Sequence, residues 1–506
     1  MKVTRKDFLK AAAATTVGSI AASTPEVRAQ QADQDPAGVK SRKRPPSRGV
    51  TQEVVTFIAR SRIEQFPDDV VRQGKRCLID GFGVVLAGAT LHGSAIVREY
   101  VKSSGGKQDA SVLGPERVRV PVELAALANG ASGHAMDFDD TQLSTTPDRT
   151  FGLLTHPTVP VLASALAVSE RSGASGQEFL QAFLVGFEVE CKIAEAISPD
   201  HYNHGFHSTG TIGTFGSAAA AAKLLKLEPA AIAHAIAIAA SMSSGIRVNF
   251  GTMTKPLHAG RAAQNGIVAA MLASGGFTGG ADGLDGEWGF FNVAGGGADT
   301  DRIAGALGKP FSIVKPGVSI KPYPCGSLSH PSMDAMLKLV IDHDIKPGQI
   351  KSIRVRAGSN ILEPLRYKTA KTELEAKFCL PFLMTALVLR RKAGIQEFTD
   401  EFVSSEPVQR MMTLVETQFD PQIEARGFDK MRSVIEVQLS DGRSFVEASD
   451  DRYRGGPERP FTREELHAKF SDCAAMILPA PRIARALELL ESVDKLKNVG
   501  ELVQSL

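Results

Sequence analysis

The sequence predicts a mainly α-helical protein, with a large all-helical domain over 50–316, a smaller α+β domain over 317–453, and a helical segment, 454–506, that rejoins the first. Three observations lead there. From Gly49 to about Gly280, Ala-rich segments with helical periodicity follow one another. After Pro316 apolar and polar residues alternate with the period of a strand. At 506 residues the chain exceeds what one hydrophobic core usually serves.

Taken in order, residues 1–29 read as an export signal: Thr4-Arg5-Lys6-Asp7-Phe8-Leu9-Lys10, a weakly apolar run over 11–22, then Val27-Arg28-Ala29 as a cleavage site. The pattern is twin-arginine-like, with Lys6 in place of the second arginine, which keeps the charge and loses the guanidinium fork. It assigns the mature protein to the periplasm; the alternative is a cytoplasmic protein with a disordered extension. Residues 30–48, with Pro36, Pro45 and Pro46, read as a flexible linker.

Helices are expected over 123–136, 158–172, 176–197, 214–225, 229–243 and 261–274, with small residues on most faces, so they pack closely and are largely buried. Strands are expected at 350–357 and 433–440, and Asp441-Gly442 turns the second into 443–448. Helix returns at 378–389, at 458–466 and over 483–506.

Composition removes several classes of function. Residues 1–48 carry ten Lys and Arg against four Asp and Glu, so the rest of the chain is slightly acidic at −4 and lacks the basic surface that nucleic acid requires. No apolar run reaches the length of a membrane span. The five cysteines are scattered without a C-x-x-C pair, so they form neither a disulfide framework nor a zinc ribbon.

Chemistry concentrates in Asn129-Gly-Ala-Ser-Gly-His134-Ala-Met-Asp137-Phe-Asp139-Asp140-Thr141, followed by His156-Pro157. This density of proton-transfer groups sits where a helix ends, and a carboxylate facing the negative end of a helix dipole needs a cation, a metal or a function. His204-Gly-Phe-His207, Thr254-Lys255-Pro256-Leu-His258, Ile320-Lys321-Pro322 with His330, and Lys377-Phe-Cys-Leu-Pro-Phe382 bring further polar and charged groups into apolar or Gly/Pro-rich settings. Each of Lys255 and Lys321 precedes a proline, which favours extended chain and fixes the ammonium. Two fixed cations and several imidazoles beside carboxylates suit a small substrate with several carboxylates. His134, Asp137, Asp139, Asp140 and His156 also offer metal ligands, but no H-E-x-x-H pattern accompanies them, and the expectation is a site without metal or cofactor.

These motifs, with Gly213-Thr-Phe-Gly-Ser-Ala-Ala-Ala-Ala-Ala222 and Gly456-Pro457, resemble the MmgE/PrpD family over about residues 50–480. The resemblance implies a metal-free lyase, usually a homodimer, whose helical domain and smaller lid enclose the site. Carried over by position, Asp137, Thr141, His156, His207, Lys255 and Lys321 match the residues lining the decarboxylase pocket and are the expected catalytic set, and His330 matches a neighbouring histidine; with His134, Asp140 and His258 from the motifs above, His330 and Phe382 are the expected substrate contacts. The family includes 2-methylcitrate dehydratase and cis-aconitate decarboxylase. Phe382 stands where the resemblance implies a pocket tyrosine, and the missing hydroxyl favours dehydration of a 2-methylcitrate-like hydroxy tricarboxylate. Alternatives are epimerisation or decarboxylation of a related acid, or a periplasmic carboxylate-binding protein on the same scaffold.

Overall fold

The computed structural model describes residues 49–142 and 155–506; the expected leader and linker lie outside the described residues. The longer helices of the first part are α1 (Val50–Arg60), α2 (Asp68–Gly88), α3 (His92–Ser103), α4 (Val122–Ala135), α5 (Thr158–Ser172), α6 (Gly176–Ile197), α7 (Gly213–Leu224), α8 (Pro229–Met242) and α9 (Thr254–Ser274). A small hairpin, β1 (Ala110–Val112) and β2 (Val118–Val120), precedes α4. Alanines, valines, leucines and phenylalanines from all these helices form one hydrophobic core. Helices α4 and α9 pack closely: a Cβ on Gly130 would lie 2.8 Å from Gly260 Cα, and one on Gly260 would lie 2.2 Å from Leu127 O. Only glycine lets these backbones meet, and their contact brings Lys255 on α9 beside the end of α4.

Helix α9 starts at Thr254, not at 261. Lys255 is therefore helical and not extended, because Pro256 lies in the first turn, where its missing N–H breaks no helical hydrogen bond. The other expected helices of this part form within about two residues of the expected ends.

The second part contains α10 (His330–Asp342), β5 (Ile350–Ala357), α11 (Leu380–Arg390), β6 (Val415–Phe419), β7 (Ser433–Leu439) and β8 (Ser444–Ala448). Its sheet has the order β6-β5-β7-β8, with β6 parallel to β5 and the other pairs antiparallel. The inward residues Ile350, Ile353, Val355, Ile435, Val437 and Leu439 are buried with the apolar faces of α10 and α11 in a second core. Strand β6 was not expected; it is a half-exposed edge whose Val-Glu-Thr-Gln-Phe sequence lacks a buried alternating face.

Two links join the parts. The short strands β3 (Thr141–Gln142) and β4 (Val318–Ser319) pair antiparallel. After the second core, α12 (Arg463–Ala474) and α13 (Ala480–Glu491) return to the first, with Leu466, Phe470, Leu489 and Leu490 inside it. Helix α12 replaces the helix expected at 458–466: Thr462 starts it, accepting from Glu465 N while the Glu465 side chain accepts from Thr462 N. No single helix among the described residues is long and apolar enough to cross a membrane.

Candidate active site

The turn after α4 organises the site. Asp137 adopts a left-handed backbone with φ of 52°, a conformation that aspartate tolerates better than most residues, and its N–H donates to His134 O at 3.2 Å. The sharp turn presents the Asp137 carboxylate to two buried ammonium groups. Lys255 Nζ donates to Asp137 Oδ1 at 2.6 Å, and Lys321 Nζ lies 3.1 Å from the same oxygen. Lys321 also donates to the carbonyls of Asp137 at 2.9 Å and Cys325 at 3.2 Å. These are the cations that the acidic helix end requires. Burial alone would raise the Asp137 carboxyl, but Lys255 and Lys321 outweigh it and hold it well below the usual carboxylate range.

His134 bridges two charges. Its Nδ1 lies 2.8 Å from Asp139 Oδ2 and its Nε2 lies 3.0 Å from Lys255 Nζ. The tautomer follows: Nδ1–H donates to Asp139 and Nε2 accepts from the ammonium, so the ring is neutral, in keeping with the lowering of its pKa by burial. Lys255 is itself shifted down, by burial first and then by Lys321, against the pull of Asp137.

A narrow cavity opens beside this cluster. Of the sequence's catalytic candidates, Asp137, His156, His207, Lys255 and Lys321 line it. His156 Nδ1 donates to Asp140 O at 2.9 Å, which leaves Nε2 as the acceptor. His207 shares its Nδ1 with Nδ1 of His258 at 3.0 Å and stacks on His134 with centroids 5.5 Å apart. Burial holds His156 and His207 well below the ordinary imidazole range, so both are neutral; at His156 Asp139 opposes and Lys321 and Lys255 reinforce the shift, and at His207 Lys255 reinforces it.

Several expected contacts are placed elsewhere. Asp140 accepts from Thr158 N at 3.2 Å and Thr158 Oγ1 at 2.7 Å, holding the start of α5; burial, with Asp80 and Asp139 nearby, pushes it up to about 7. His134 acts between Asp139 and Lys255, and His258, shifted to about 4 by burial, backs His207 from behind. His330 is fully buried beside Tyr323, with Nε2 3.3 Å from Cys325 O. Thr141 is held in the β3–β4 pair with its hydroxyl buried and without a hydrogen-bond partner among the described residues. Phe382 is in the second core, edge-on to Phe398 and Phe402. Phe378, four residues earlier in the chain and ahead of α11, lines the cavity instead.

The sequence reading missed part of the wall: Thr155, Tyr202, Phe250 and the stretch Ser327-Leu328, with Pro364 and Leu365 from the second part. Thr155 and Tyr202 lie within one or two residues of the His156 and His204 motifs, a signal that was present; Phe250, Pro364 and Leu365 are ordinary apolar residues that only the fold brings in. The wall is thus ionic on one side and apolar on the other, with Lys255 Nζ 5.5 Å from the centroids of both Phe250 and Phe378. One ligand oxygen or nitrogen from each of His134, Asp137, Asp139 and His156 lies within 4.8 Å of the others, close enough to hold a metal ion. An ion there would have to displace Lys255 from Asp137 and His134.

A helical body and a smaller mixed-sheet body both line a pocket of buried ammonium, carboxylate and imidazole groups, the two-domain, mainly α architecture of a known class. The chain belongs to the MmgE/PrpD family: the MmgE/PrpD N-terminal domain matches residues 52–303 and the C-terminal domain residues 323–495. It is similar to the cis-aconitate decarboxylase of Homo sapiens, at 28% identity over 465 residues covering 90% of this chain and 94% of that protein. The Mus musculus cis-aconitate decarboxylase is 28% identical over 91% of this chain and 93% of its own length. That of Aspergillus terreus is 23% identical over 90% and 96%.

Proposed function

We propose that this protein is a cofactor-independent lyase acting on a small polycarboxylate. One observation carries the reading: two buried lysines converge on Oδ1 of a buried aspartate beside a cavity lined by neutral imidazoles. Lys321 has its donors on Asp137 and Cys325, whereas Lys255 makes two such contacts and keeps a third N–H for a ligand carboxylate. Burial, reinforced by the fixed cations, keeps His156 and His207 neutral. An arriving polyanion reverses that field and raises their pKa values, so they take up and deliver protons when substrate is bound.

Decarboxylation comes first within this class. A carboxylate set against Phe250, Leu328, Pro364, Leu365 and Phe378 loses its charge as carbon dioxide leaves, which an apolar wall favours. The electron pair passes onto the carbon and into a neighbouring carboxylate held by Lys255, and an imidazolium returns a proton. The sequence argument against this reaction rested on Phe382, which does not line the cavity, and the decarboxylase relatives add support. Dehydration of a 2-methylcitrate-like acid is the second reading. It needs a base for a C–H proton, which decarboxylation does not, and His156, a neutral imidazole on the cavity wall with Nε2 as its acceptor, supplies one.

The test is incubation of the purified protein with cis-aconitate, citrate and 2-methylcitrate, followed by ultraviolet absorbance and proton NMR in deuterium oxide. Loss of carbon dioxide from cis-aconitate supports the first reading, and alkene formation from a hydroxy acid the second. No turnover and no binding of any tricarboxylate would overturn the proposal. The periplasmic assignment and a homodimer are also proposals, tested by N-terminal sequencing of the fractionated protein and by light scattering.

A further inference from the structure

Glu190 on α6 is fully buried, and among the described residues no lysine, arginine or histidine pairs with it. Its Oε1 lies 2.6 Å from Thr155 Oγ1, and its Oε2 has no hydrogen-bond partner among the described residues. The carboxyl group fits because residue 216 is glycine: a Cβ there would lie 2.7 Å from Glu190 Oε2. Thr155 lines the cavity and adjoins His156, and its carbonyl accepts from Gln142 N at 2.9 Å, which fixes its backbone.

An ionised carboxylate here would be a buried charge with a single hydroxyl for company, so the neutral acid is favoured. A proton on Oε2 would have no acceptor, so the proton belongs in the short contact between Oε1 and Thr155 Oγ1. We infer that Glu190 is a neutral carboxylic acid that donates to Thr155 Oγ1, and that the Thr155 hydroxyl is thereby fixed as a hydrogen-bond donor toward an anionic ligand in the cavity. Burial, with Asp140 nearby and only Thr155 opposing, raises the Glu190 carboxyl well above its ordinary value, in the same direction. Were Glu190 ionised, the Thr155 proton would be held by the carboxylate and the cavity would meet a lone pair, which repels an anion. Thr155 is thus assigned to substrate recognition and Glu190 is a positioning residue. The ligand class rests on the polycarboxylate reading above; the location of the proton does not.

The test has two arms. A difference infrared spectrum of wild type minus Glu190→Gln at neutral pH is expected to show the carbonyl stretch of a protonated carboxyl; a carboxylate band in its place overturns the inference. Calorimetry with tricarballylate, a tricarboxylate with neither an alkene nor a hydroxyl, is expected to show about tenfold weaker binding for Thr155→Val, the cost of one hydrogen bond. Glu190→Met is expected to weaken binding similarly, and Glu190→Gln, whose amide N–H also donates to Thr155 Oγ1, recovers most of that loss. In turnover both Thr155→Val and Glu190→Met act mainly through KM. Thr155→Val binding within twofold of wild type overturns the recognition role. A wild type that ignores tricarballylate counts against the tricarboxylate reading, while the infrared arm still judges Glu190.

Discussion

Lys255→Met removes one ammonium group from the cavity while leaving a side chain of similar length. In stability the loss is partly compensated. Asp137 keeps Lys321 at 3.1 Å, so no carboxylate is stranded, and the cost of desolvating a lysine that is 4% exposed disappears. What remains is the acceptor His134 Nε2, left without a donor at a cost of about 1–3 kcal/mol before that relief is counted, so the net change is expected to be about 1 kcal/mol. In catalysis nothing compensates. Loss of a preorganised charge aimed at a developing anion costs about 2.7–4 kcal/mol, a fall of about 10²–10³ in kcat. Lys321→Met reverses the balance: Asp137 keeps Lys255 at 2.6 Å, but the Asp137 and Cys325 carbonyls both lose a donor in a fully buried position, at about 1–3 kcal/mol each, so the variant is expected to destabilise by about 2–6 kcal/mol. The assay is cis-aconitate turnover together with urea melts of both variants. Lys255→Met turnover within tenfold of wild type, or a Lys255→Met melt shifted further than that of Lys321→Met, would refute the division of labour between the lysines. Because burial lowers the Lys255 pKa, activity that needs the ammonium is lost on the alkaline side at a pH below that of free lysine, and Lys255→Arg moves that limb upward.

Other expectations follow from the neighbouring residues. Asp140, raised to about 7 by burial, binds its proton more tightly folded than unfolded, so its contribution to stability is present below about pH 4 and is lost as pH rises toward 7; Asp140→Asn flattens that slope in pH-dependent melts. Lys469 of α12 pairs with buried Asp80 at 2.6 Å and donates to Phe138 O at 2.9 Å, so Lys469→Met is expected to cost about 3–5 kcal/mol and the double variant with Asp80→Leu to recover most of it; a single-variant cost below about 1 kcal/mol would contradict the pairing. Phe382→Leu should lower the melting temperature and leave KM unchanged, whereas Phe378→Leu should raise KM, a contrast that checks which ring faces substrate.

Periodicity placed α4 to α8, most of α9, α11 and three of the four strands of the main sheet, because each buries a face with a repeating apolar pattern; it singled out none of α1, α2, α3 and α10. Strand β6 escaped because an edge strand has little to bury. The site was legible where charged residues are costly to place without a reason: Asp137, His156, His207, Lys255 and Lys321 all reach one cavity. Local sequence does not say which face of a turn a side chain takes. Asp140 and Thr141 sit next to Asp139 in the chain, yet one holds the start of α5 and the other lies in a strand pair. Phe378 and Phe382 share a motif and lie four residues apart, and only tertiary packing sends the first to the cavity and the second to the core. Glu190 gave no signal at all, being one acidic residue among several in a long helix.

The return of α12 and α13 to the first core has a consequence for synthesis on the ribosome. Phe470, Leu489 and Leu490 complete the burial of a core that begins at Val50, but they emerge only after the whole of the second core has been translated. The earlier helices therefore wait in the nascent chain with an uncovered apolar surface, and Asp80 waits for Lys469 across 389 residues. A stalled or truncated product never acquires the closing segment, so a translation fault near the end of the message exposes the surface that chaperones and proteases recognise.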